Sequence, residues 1–376
     1  MERTEGGDQP DGVPGSRPAR SLPVSHRSPL VLAVGGSAGS LGPLLELVGS
    51  LPPDLPASVL VTVHLGDSGR SQLAGTLARA SRLPVAWAVH GEPLLASRVY
   101  VAPAGSHLLI RHGSVSLSGG PKVNRHRPSI DAMFVSAAEA AGGGAVVLVM
   151  SGVLDDGAVG AALVAAAGGH VLAQDPAEAE FPGMPAAALS AVPAAPLLTR
   201  ARAAATVTAA VTLAASRPRQ TPNGRHPETT TSTTTTSTTT TNTTPEAAMS
   251  MTEGSIDYLS DDESRLTRLS CPDCGGSLAQ VDLAQLSYFR CHVGHQFGPQ
   301  ALAAAQAEAS ESKLWSALAA IEEETAFQRY LGSRLPDADV AAIAHRRLAD
   351  DLAARAAQLR EQVHAWVPVA SDSPQA

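Results

Sequence analysis

The chain of 376 residues has little of several groups that define common protein classes. It contains three cysteines, aromatic residues make up 3% of it, and acidic residues exceed basic ones to give a net charge of −8. Three cysteines in one short stretch do not form a disulfide framework, which predicts a reducing compartment. The negative charge argues against a broad nucleic-acid surface. The scarcity of aromatics predicts a core of small aliphatic side chains.

Signals for secretion and membrane insertion are also missing from the sequence. Residues 1–28 are rich in Gly, Pro, Ser and charge, have no apolar stretch like that of a signal peptide, and are predicted to be a disordered lead. The longest run of small apolar residues, 157–173, contains His170 and several glycines, so it is read as a core helix that runs into a strand. We therefore expect a cytoplasmic protein with no membrane insertion.

Residues 29–215 alternate short apolar runs with Ala/Leu-rich helical runs. This alternation predicts an α/β domain with a doubly wound, mostly parallel sheet covered by helices. Two short runs that flank His112 and Gly113 predict an antiparallel hairpin added at one edge of the sheet. The predicted strands are 30–34, 59–64, 85–89, 99–102, 145–150 and 170–174, the hairpin strands are 108–111 and 115–117, and the predicted helices are 41–50, 70–80, 130–142, 157–167 and 200–215.

The C-terminal part of the chain changes composition several times. A threonine-rich stretch, 216–260, cannot bury a core and is predicted to be a linker. A small Cys/His module follows at 261–298. Residues 299–366 predict a helical hairpin interrupted by Gly and Pro, and 367–376 predict a disordered tail. Helices of this composition usually pack on each other or on a partner, so we expect a homo-oligomer or a signalling partner here.

A serine in a glycine-rich turn is the strongest chemical signal. The segment from Gly35 to Gly39 has the G-x-S-x-G spacing of a nucleophile elbow around Ser37, between an apolar run and a helical run. This context would place Ser37 Oγ at the carboxyl edge of a sheet, beside a helix N-terminus that stabilises negative charge. Such glycines also cradle nucleotide phosphates, but the acidic residue expected after the next strand is replaced by His64.

Serine chemistry needs a base and an acid that orients the base. His64 ends the strand expected beside that of Ser37, and adjacent parallel strands present their carboxyl ends to one crevice. Asp156 follows the most hydrophobic strand and is expected at the same edge. The predicted triad is Ser37, His64 and Asp156. Ser37, Asp156 and His170 would give the Ser–Asp–His order of α/β-hydrolases. However, His170 begins its predicted strand, which places it at the amino end of the sheet, far from the crevice.

Seven short segments occur in a fixed order along this domain. They are AVGGSAG at 33–39, VHL at 63–65, VYVAPAGSH at 99–107, NRHRPSID at 124–131, SGVLDDGA at 151–158, AQD at 173–175 and PGMP at 182–185. Together they resemble the catalytic domain of the CheB-type chemotaxis protein-glutamate methylesterases, over about residues 29–215. The resemblance implies that Ser37, His64 and Asp156 are nucleophile, base and acid, in agreement with the reasoning from the residues.

The resemblance also implies a reaction. The family hydrolyses glutamate methyl esters on chemoreceptor helices, releasing methanol, and deamidates some glutamines. By this analogy Ser37 attacks the carbonyl, His64 takes the serine proton, Asp156 orients the imidazole, and water clears the acyl-enzyme. Backbone N–H groups near Ala38 and in 151–154 are candidates for the oxyanion hole. No cofactor is expected for this catalysis, and no nucleic-acid partner.

Three features depart from the family pattern. Ala38 stands where the family often has threonine, and Leu154 replaces a glycine in the loop before the acid. Residues 1–28 are too few for the family's receiver domain, so control by an attached phosphorylated receiver is not expected. These departures support an alternative function, in which the protein is a regulatory protein with a weak or inactive esterase domain. It would bind partners through the Cys/His module and the helices that follow it.

A basic run lies within the fourth of these segments. Arg125, His126 and Arg127 follow one another there. Two uses stay open at this point: the run contacts an acidic substrate helix, or it forms a charged surface turn that holds its own loop.

The three cysteines and a histidine have the spacing of two metal-binding knuckles. Cys271 and Cys274 form a C-x-x-C turn, and Cys291 and His295 would complete a tetrahedron. Four protein ligands leave no open position, which predicts a structural zinc, with His292 pointing elsewhere. A redox use of the C-x-x-C turn lacks the surrounding βαβ pattern. The resemblance adds that similar ribbon-like tails follow other CheB-type domains.

Overall fold

The computed structural model describes residues 30–64, 72–216, 264–283 and 286–366. The predicted lead (1–28), the tail (367–376) and all of the predicted linker (216–260) except its first residue lie outside these residues. The described chain forms an α/β domain and a C-terminal module, which consists of a small sheet followed by two long helices.

The α/β domain has a strand or helix at each predicted position. In chain order the strands are β1 Val31–Gly36, β2 Ser58–Val63, β3 Val85–Trp87, β4 Arg98–Val101, β5 His107–Arg111, β6 Ser114–Ser118, β7 Ala145–Val149, β8 His170–Gln174 and β9 Leu197–Leu198. The helices are α1 Leu41–Ser50, α2 Leu73–Ala80, α3 Ile130–Ala141, α4 Ala158–Ala166, α5 Gly183–Ala191 and α6 Ala203–Ser216. The short elements α5 and β9 are absent from the sequence prediction.

The main sheet has seven strands in the order β3-β4-β2-β1-β7-β8-β9, paired in parallel. Leu32 and Val34 of β1 pack in one cluster with α1, α2 and α6. Val31 and Ala33 pack in a second cluster with α3, α4 and α5. Because successive side chains of a strand point to opposite faces, helices cover both faces of the sheet. The predicted doubly wound α/β fold is confirmed.

The hairpin lies elsewhere than predicted. Strands β5 and β6 pair antiparallel, but they form a separate two-stranded sheet, and β3 and β9 occupy the edges of the main sheet. Leu108 and Ile110 of β5 pack with α3. Leu109, on the opposite face, packs with Val281 and Tyr288 of the C-terminal module. Burial on both faces explains why the hairpin lies between the two parts of the molecule.

The C-terminal module begins with four antiparallel strands. These are β10 Ser264–Ser270, β11 Ser277–Leu283, β12 Leu286–Cys291 and β13 Gln296–Phe297, followed by the helices α7 Pro299–Ser333 and α8 Val340–Trp366. Proline is favourable at the first position of α7, since its missing N–H has no helical partner there. The two helices pack on each other, as the predicted hairpin requires. Among the described helices, none is long and apolar enough to cross a membrane.

Candidate active site and metal centre

Three adjacent strands carry the predicted triad residues to one edge of the sheet. Ser37 follows β1, His64 follows β2, and Asp156 lies between β7 and α4. Gly36 lies opposite Val63 in the register of β1 and β2, so Ser37 and His64 are the next residues along the two strands. The chain runs from β1 to β2 on one side and later to β7 and β8 on the other. The site therefore lies at the switch point, where open α/β sheets form their crevice.

Backbone contacts hold the turn that carries Ser37. Ser37 N donates a hydrogen bond to Ser151 O at 2.9 Å, which ties the turn to the loop after β7. Ser40 Oγ donates to Ser37 O at 2.6 Å, directly before helix α1. A Cβ at Gly152 would lie 2.8 Å from Ser37 Cβ and 2.1 Å from Met184 Sδ. Position 152 therefore accepts only glycine while the serine keeps this place.

His64 and Asp156 form a buried pair. His64 Nε2 lies 2.8 Å from Asp156 Oδ2, and their side chains are 7% and 3% exposed. An ionised carboxylate only accepts hydrogen bonds, so Nε2 carries the proton and Nδ1 is left as the basic nitrogen. The alternative base, His170, begins β8 opposite Val146 of β7, at the amino end of the sheet. The structure therefore pairs Asp156 with His64 and leaves His170 at the other edge.

The carboxylate of Asp156 lies at the N-terminus of α3, where backbone N–H groups favour negative charge. Burial by itself raises the pKa of this carboxyl, but the hydrogen bond and the charge of His64, with the backbone donors, outweigh burial and hold the pKa well below its ordinary value. Besides His64, its donors are Ser129 Oγ, Asn124 Nδ2 and the backbone N–H groups of Ile130 and Asp131, at 2.8–3.0 Å.

Asn124 joins two buried carboxyl groups. Its Nδ2 lies 2.8 Å from Asp131 Oδ2 and 2.9 Å from Asp156 Oδ1. Burial, together with the neighbouring charge of Asp156, raises the pKa of Asp131 well above its ordinary value. The pKa values of the two carboxyl groups are thus shifted in opposite directions, which favours ionisation of Asp156 over that of Asp131. Asn124 has φ +50, in the left-handed region that asparagine tolerates better than most residues.

Sequence patterns do not predict the residues that surround the Asp156 carboxylate. The segment 124–131 is recognised there only as part of a family resemblance, with no role for Asn124, Ser129 or Asp131. The available signal is the position of Ser129 directly before an apolar helical run, which predicts a helix N-cap. A link from that cap to Asp156 requires the tertiary structure.

The basic run holds its own loop. His126 stacks on His64 with ring centroids 3.6 Å apart and planes 10° apart. Burial and the neighbouring charge of His64 lower the pKa of His126 to about 4, so its ring is neutral near pH 7. Arg125 forms an ion pair with Glu308 of α7. Arg127 donates to two backbone carbonyls of its own loop, at 2.9 and 2.7 Å. These contacts support the second of the two uses considered for the run.

The loop between β7 and α4 keeps a conformation typical of glycine. Leu154 has φ +68, a left-handed value that costs a residue with a Cβ about 1–2 kcal/mol. Of the candidate oxyanion donors in this loop, Ser151 N donates to the Gln174 side chain at 2.8 Å and Gly152 N donates to Phe181 O at 2.9 Å. Because the N–H groups of Ser151 and Gly152 already have acceptors, the remaining candidate oxyanion donors are the backbone N–H groups near Ala38 and at 153–154.

The four predicted metal ligands lie together in the C-terminal module. The sulfur atoms of Cys271, Cys274 and Cys291 and a ring nitrogen of His295 all lie within 4.8 Å of one another. Cys274 Sγ is 3.6 Å from Cys291 Sγ, and His295 Nδ1 is 3.5 Å from Cys291 Sγ and 3.8 Å from Cys271 Sγ. Tetrahedral zinc bonds would place two sulfurs about 3.8 Å apart and sulfur and nitrogen about 3.6 Å apart. The donor set and its spacing fit a closed zinc site, and His292 is outside this cluster.

The arrangement of a serine on a strand–turn–helix elbow, on the strand next to a histidine paired with a buried carboxylate, is the one by which serine hydrolases are recognised. Comparison with known proteins finds a match over the same part of the chain. Residues 32–207, which include the main sheet and the three site residues, match the CheB methylesterase family.

Two curated relatives carry the same name. A protein-glutamate methylesterase/protein-glutamine glutaminase of Anaeromyxobacter dehalogenans is 41% identical over 172 residues, which cover 46% of this chain and 49% of the relative. One of Bradyrhizobium diazoefficiens is 39% identical over 184 residues, covering 48% and 46%. The chain therefore spans about half the length of the curated relatives it matches.

A solved structure, the CheB methylesterase catalytic domain of Thermotoga maritima, aligns with 48% of this chain and 98% of its own. The sequence identity is 28% and the TM-score is 0.46.

Proposed function

We propose that the α/β domain is a serine esterase that hydrolyses glutamate methyl esters on chemoreceptor-like proteins and deamidates glutamines on them. The observation that carries this proposal is the buried hydrogen bond between His64 and Asp156, on the strand next to Ser37 at the switch point. The match of residues 32–207 to the CheB methylesterase family and the names of the relatives support the choice of substrate.

In the proposed reaction His64 Nδ1 takes the proton of Ser37 Oγ as the oxygen attacks the ester carbonyl. Asp156 stays ionised, because its pKa lies below the ordinary value, and it stabilises the imidazolium that forms. Backbone N–H groups near Ala38, in the turn before α1, or at 153–154 stabilise the negative charge on the carbonyl oxygen. Methanol leaves with the proton from His64, and an activated water then hydrolyses the acyl-enzyme. With a glutamine side chain, ammonia leaves instead.

The test is methanol release from a methylated chemoreceptor signalling fragment. We expect the wild-type chain to release methanol and the Ser37→Ala variant to be slower by at least about 10³-fold, as in other enzymes that lose a nucleophile. A matched control is Ser216→Ala, at the exposed end of α6, which should react at the wild-type rate. Equal, slow release by the wild-type chain and Ser37→Ala would exclude the esterase and favour the alternative of a regulatory binding protein.

We also propose that Cys271, Cys274, Cys291 and His295 hold a structural zinc ion. Four protein ligands at tetrahedral spacing leave no position for a substrate, so the metal would stabilise the small sheet. Protein purified without chelator should contain one zinc per chain, and Cys274→Ser should lose it, whereas the exposed His292→Ser should retain it. Absence of stoichiometric zinc from the wild-type chain would rule out the site.

A further inference from the structure

The junction between β13 and α7, residues 296–301, contacts two neighbours of the site residue Asp156, namely Asn124, which donates to its carboxylate, and Asp155, which precedes it in the chain. Gly298 N donates to Asn124 Oδ1 at 2.7 Å, and Asn124 Nδ2 in turn donates to Asp156 Oδ1 at 2.9 Å. Two backbone N–H groups in the first turn of α7 donate to the carboxylate of Asp155, the preceding residue, at 2.9 and 3.1 Å. Hydrogen bonds from the junction to Asn124 and Asp155 thus connect the C-terminal module to the site.

The contact with Gly298 determines which way the amide of Asn124 points. An asparagine amide has an oxygen end that accepts and a nitrogen end that donates. Because Gly298 N requires an acceptor, Oδ1 faces the junction and Nδ2 faces Asp156 and Asp131. Asn124 is 3% exposed, so water does not substitute for a lost partner. A flipped amide would place its oxygen against two carboxyl groups.

The junction approaches the site more closely than a side chain would permit. A Cβ at Gly298 would lie 2.4 Å from Asp155 Oδ2. Gly298 has φ −66 and ψ 165, which alanine also adopts, so only this contact excludes a larger residue. Asn124 N also donates to Gln296 O at 2.7 Å, which fixes the backbone of both segments. The junction therefore packs directly against Asp155, with no side chain between them.

We propose that the C-terminal module is part of the support of the active site, and that Asn124 is the positioning residue through which Gly298 orients Asp156. This inference rests on the proposed esterase function for its consequence in catalysis. Asn124→Ala removes a donor to Asp156, whereas the Cβ of Gly298→Ala would displace the junction and release the Asn124 amide from the orientation in which Nδ2 donates to Asp156. With fewer donors, the Asp156 carboxylate then stabilises the His64 imidazolium more strongly. Four other titratable groups of the described residues interact with this pair. His126 stacks on His64, and Asp131, Asp155 and His107 interact electrostatically with Asp156.

The experiment is an NMR titration of the His64 imidazole in the full-length chain, with the signal assigned by its loss in His64→Gln. We expect Asn124→Ala and Gly298→Ala each to increase the proton affinity of His64 about three- to ten-fold, since the first removes the hydrogen bond from Asn124 to Asp156 and the second removes the contact that orients it. The control Glu308→Gln removes the exposed ion pair between α7 and Arg125 and leaves the junction intact. Its titration should match the wild type.

A second measurement is the pH dependence of 4-nitrophenyl acetate hydrolysis, with each rate divided by the number of active sites that a fluorophosphonate labels. In the same two variants, the fall of this rate in acid should move to higher pH. A purely structural role would lower the number of labelled sites without shifting the pH of this fall. An unchanged His64 titration in folded Asn124→Ala and Gly298→Ala overturns the inference. If Ser37→Ala hydrolyses ester as fast as wild type, the proposed function fails, while the titration still decides the inference.

Discussion

At the scale of single residues, the rings of His64 and His126 show how one side chain limits the charge of another. The rings are stacked 3.6 Å apart, and burial with the charge of His64 lowers the pKa of His126 to about 4. A positive charge on both rings would be unfavourable, and His126 is neutral near pH 7. Since His126 is neutral, the charged group that contacts His64 is the Asp156 carboxylate.

The lowered pKa of His126 predicts a loss of stability in acid. The unfolded chain binds a proton at His126 near pH 6.5, whereas the folded chain binds it only near pH 4, so stability falls as the pH is lowered between these values. His126→Phe keeps a flat ring and cannot titrate. Between pH 7 and 4.5 the wild type should lose roughly 2–3 kcal/mol more than this variant in urea unfolding. Parallel losses in the two proteins would show that His126 does not have this pKa.

At the scale of elements, the sequence predicts the strands and helices of the α/β domain well. Fully buried strands appear as continuous apolar runs and helices as longer Ala/Leu runs. The element α5 is missed because it begins with Gly183 and contains Pro185, which are typical of turns. The two-residue strand β9 is too short to form a pattern. The hairpin of β5 and β6 is predicted, but its position relative to the main sheet is not. Pairing with an edge strand depends on residues that are distant in the chain.

The loop between β7 and α4 provides a prediction at this scale. Leu154 takes a left-handed conformation, which asparagine tolerates and a β-branched residue does not. We expect Leu154→Asn to keep the wild-type unfolding free energy to within about 1 kcal/mol and Leu154→Ile to lose about 1–2 kcal/mol more than Leu154→Asn. Thermal and urea unfolding of the two variants measure this difference. Equal stabilities would mean that the loop does not hold φ +68 in solution.

At the scale of the whole molecule, an apolar contact joins the C-terminal module to the α/β domain. Tyr288 of β12 is 1% exposed and packs in one cluster with Val281, Leu109 of β5 and Val135 of α3. Val123 of the same cluster forms a β-bridge with Gln296 of the polar junction, so apolar packing and hydrogen bonds stabilise the same interface. Burial of this kind supplies most of the free energy of docking.

Loss of the Tyr288 ring should separate the two parts. Tyr288→Ala removes a large buried side chain, which costs about 3–5 kcal/mol for comparable aromatic residues. We expect a larger radius of gyration in X-ray scattering, with the zinc content unchanged because the proposed ligands are not altered. Phe327→Ala is a matched control, since Phe327 is 57% exposed on α7 and should leave the radius unchanged. A compact Tyr288→Ala variant would contradict this assignment of the interface.

The sequence by itself determined the α/β class, the elbow at Ser37 and the spacing of the metal ligands, because these depend on residues close together in the chain or on regular periodicity. Only the tertiary structure decided the contacts of Asp156. Its donors come from residues 64 and 124–131, and the group that orients Asn124 comes from Gly298. These hydrogen bonds join residues 25 to 174 positions apart in the chain, so they follow from packing, and local sequence patterns contain no information about them.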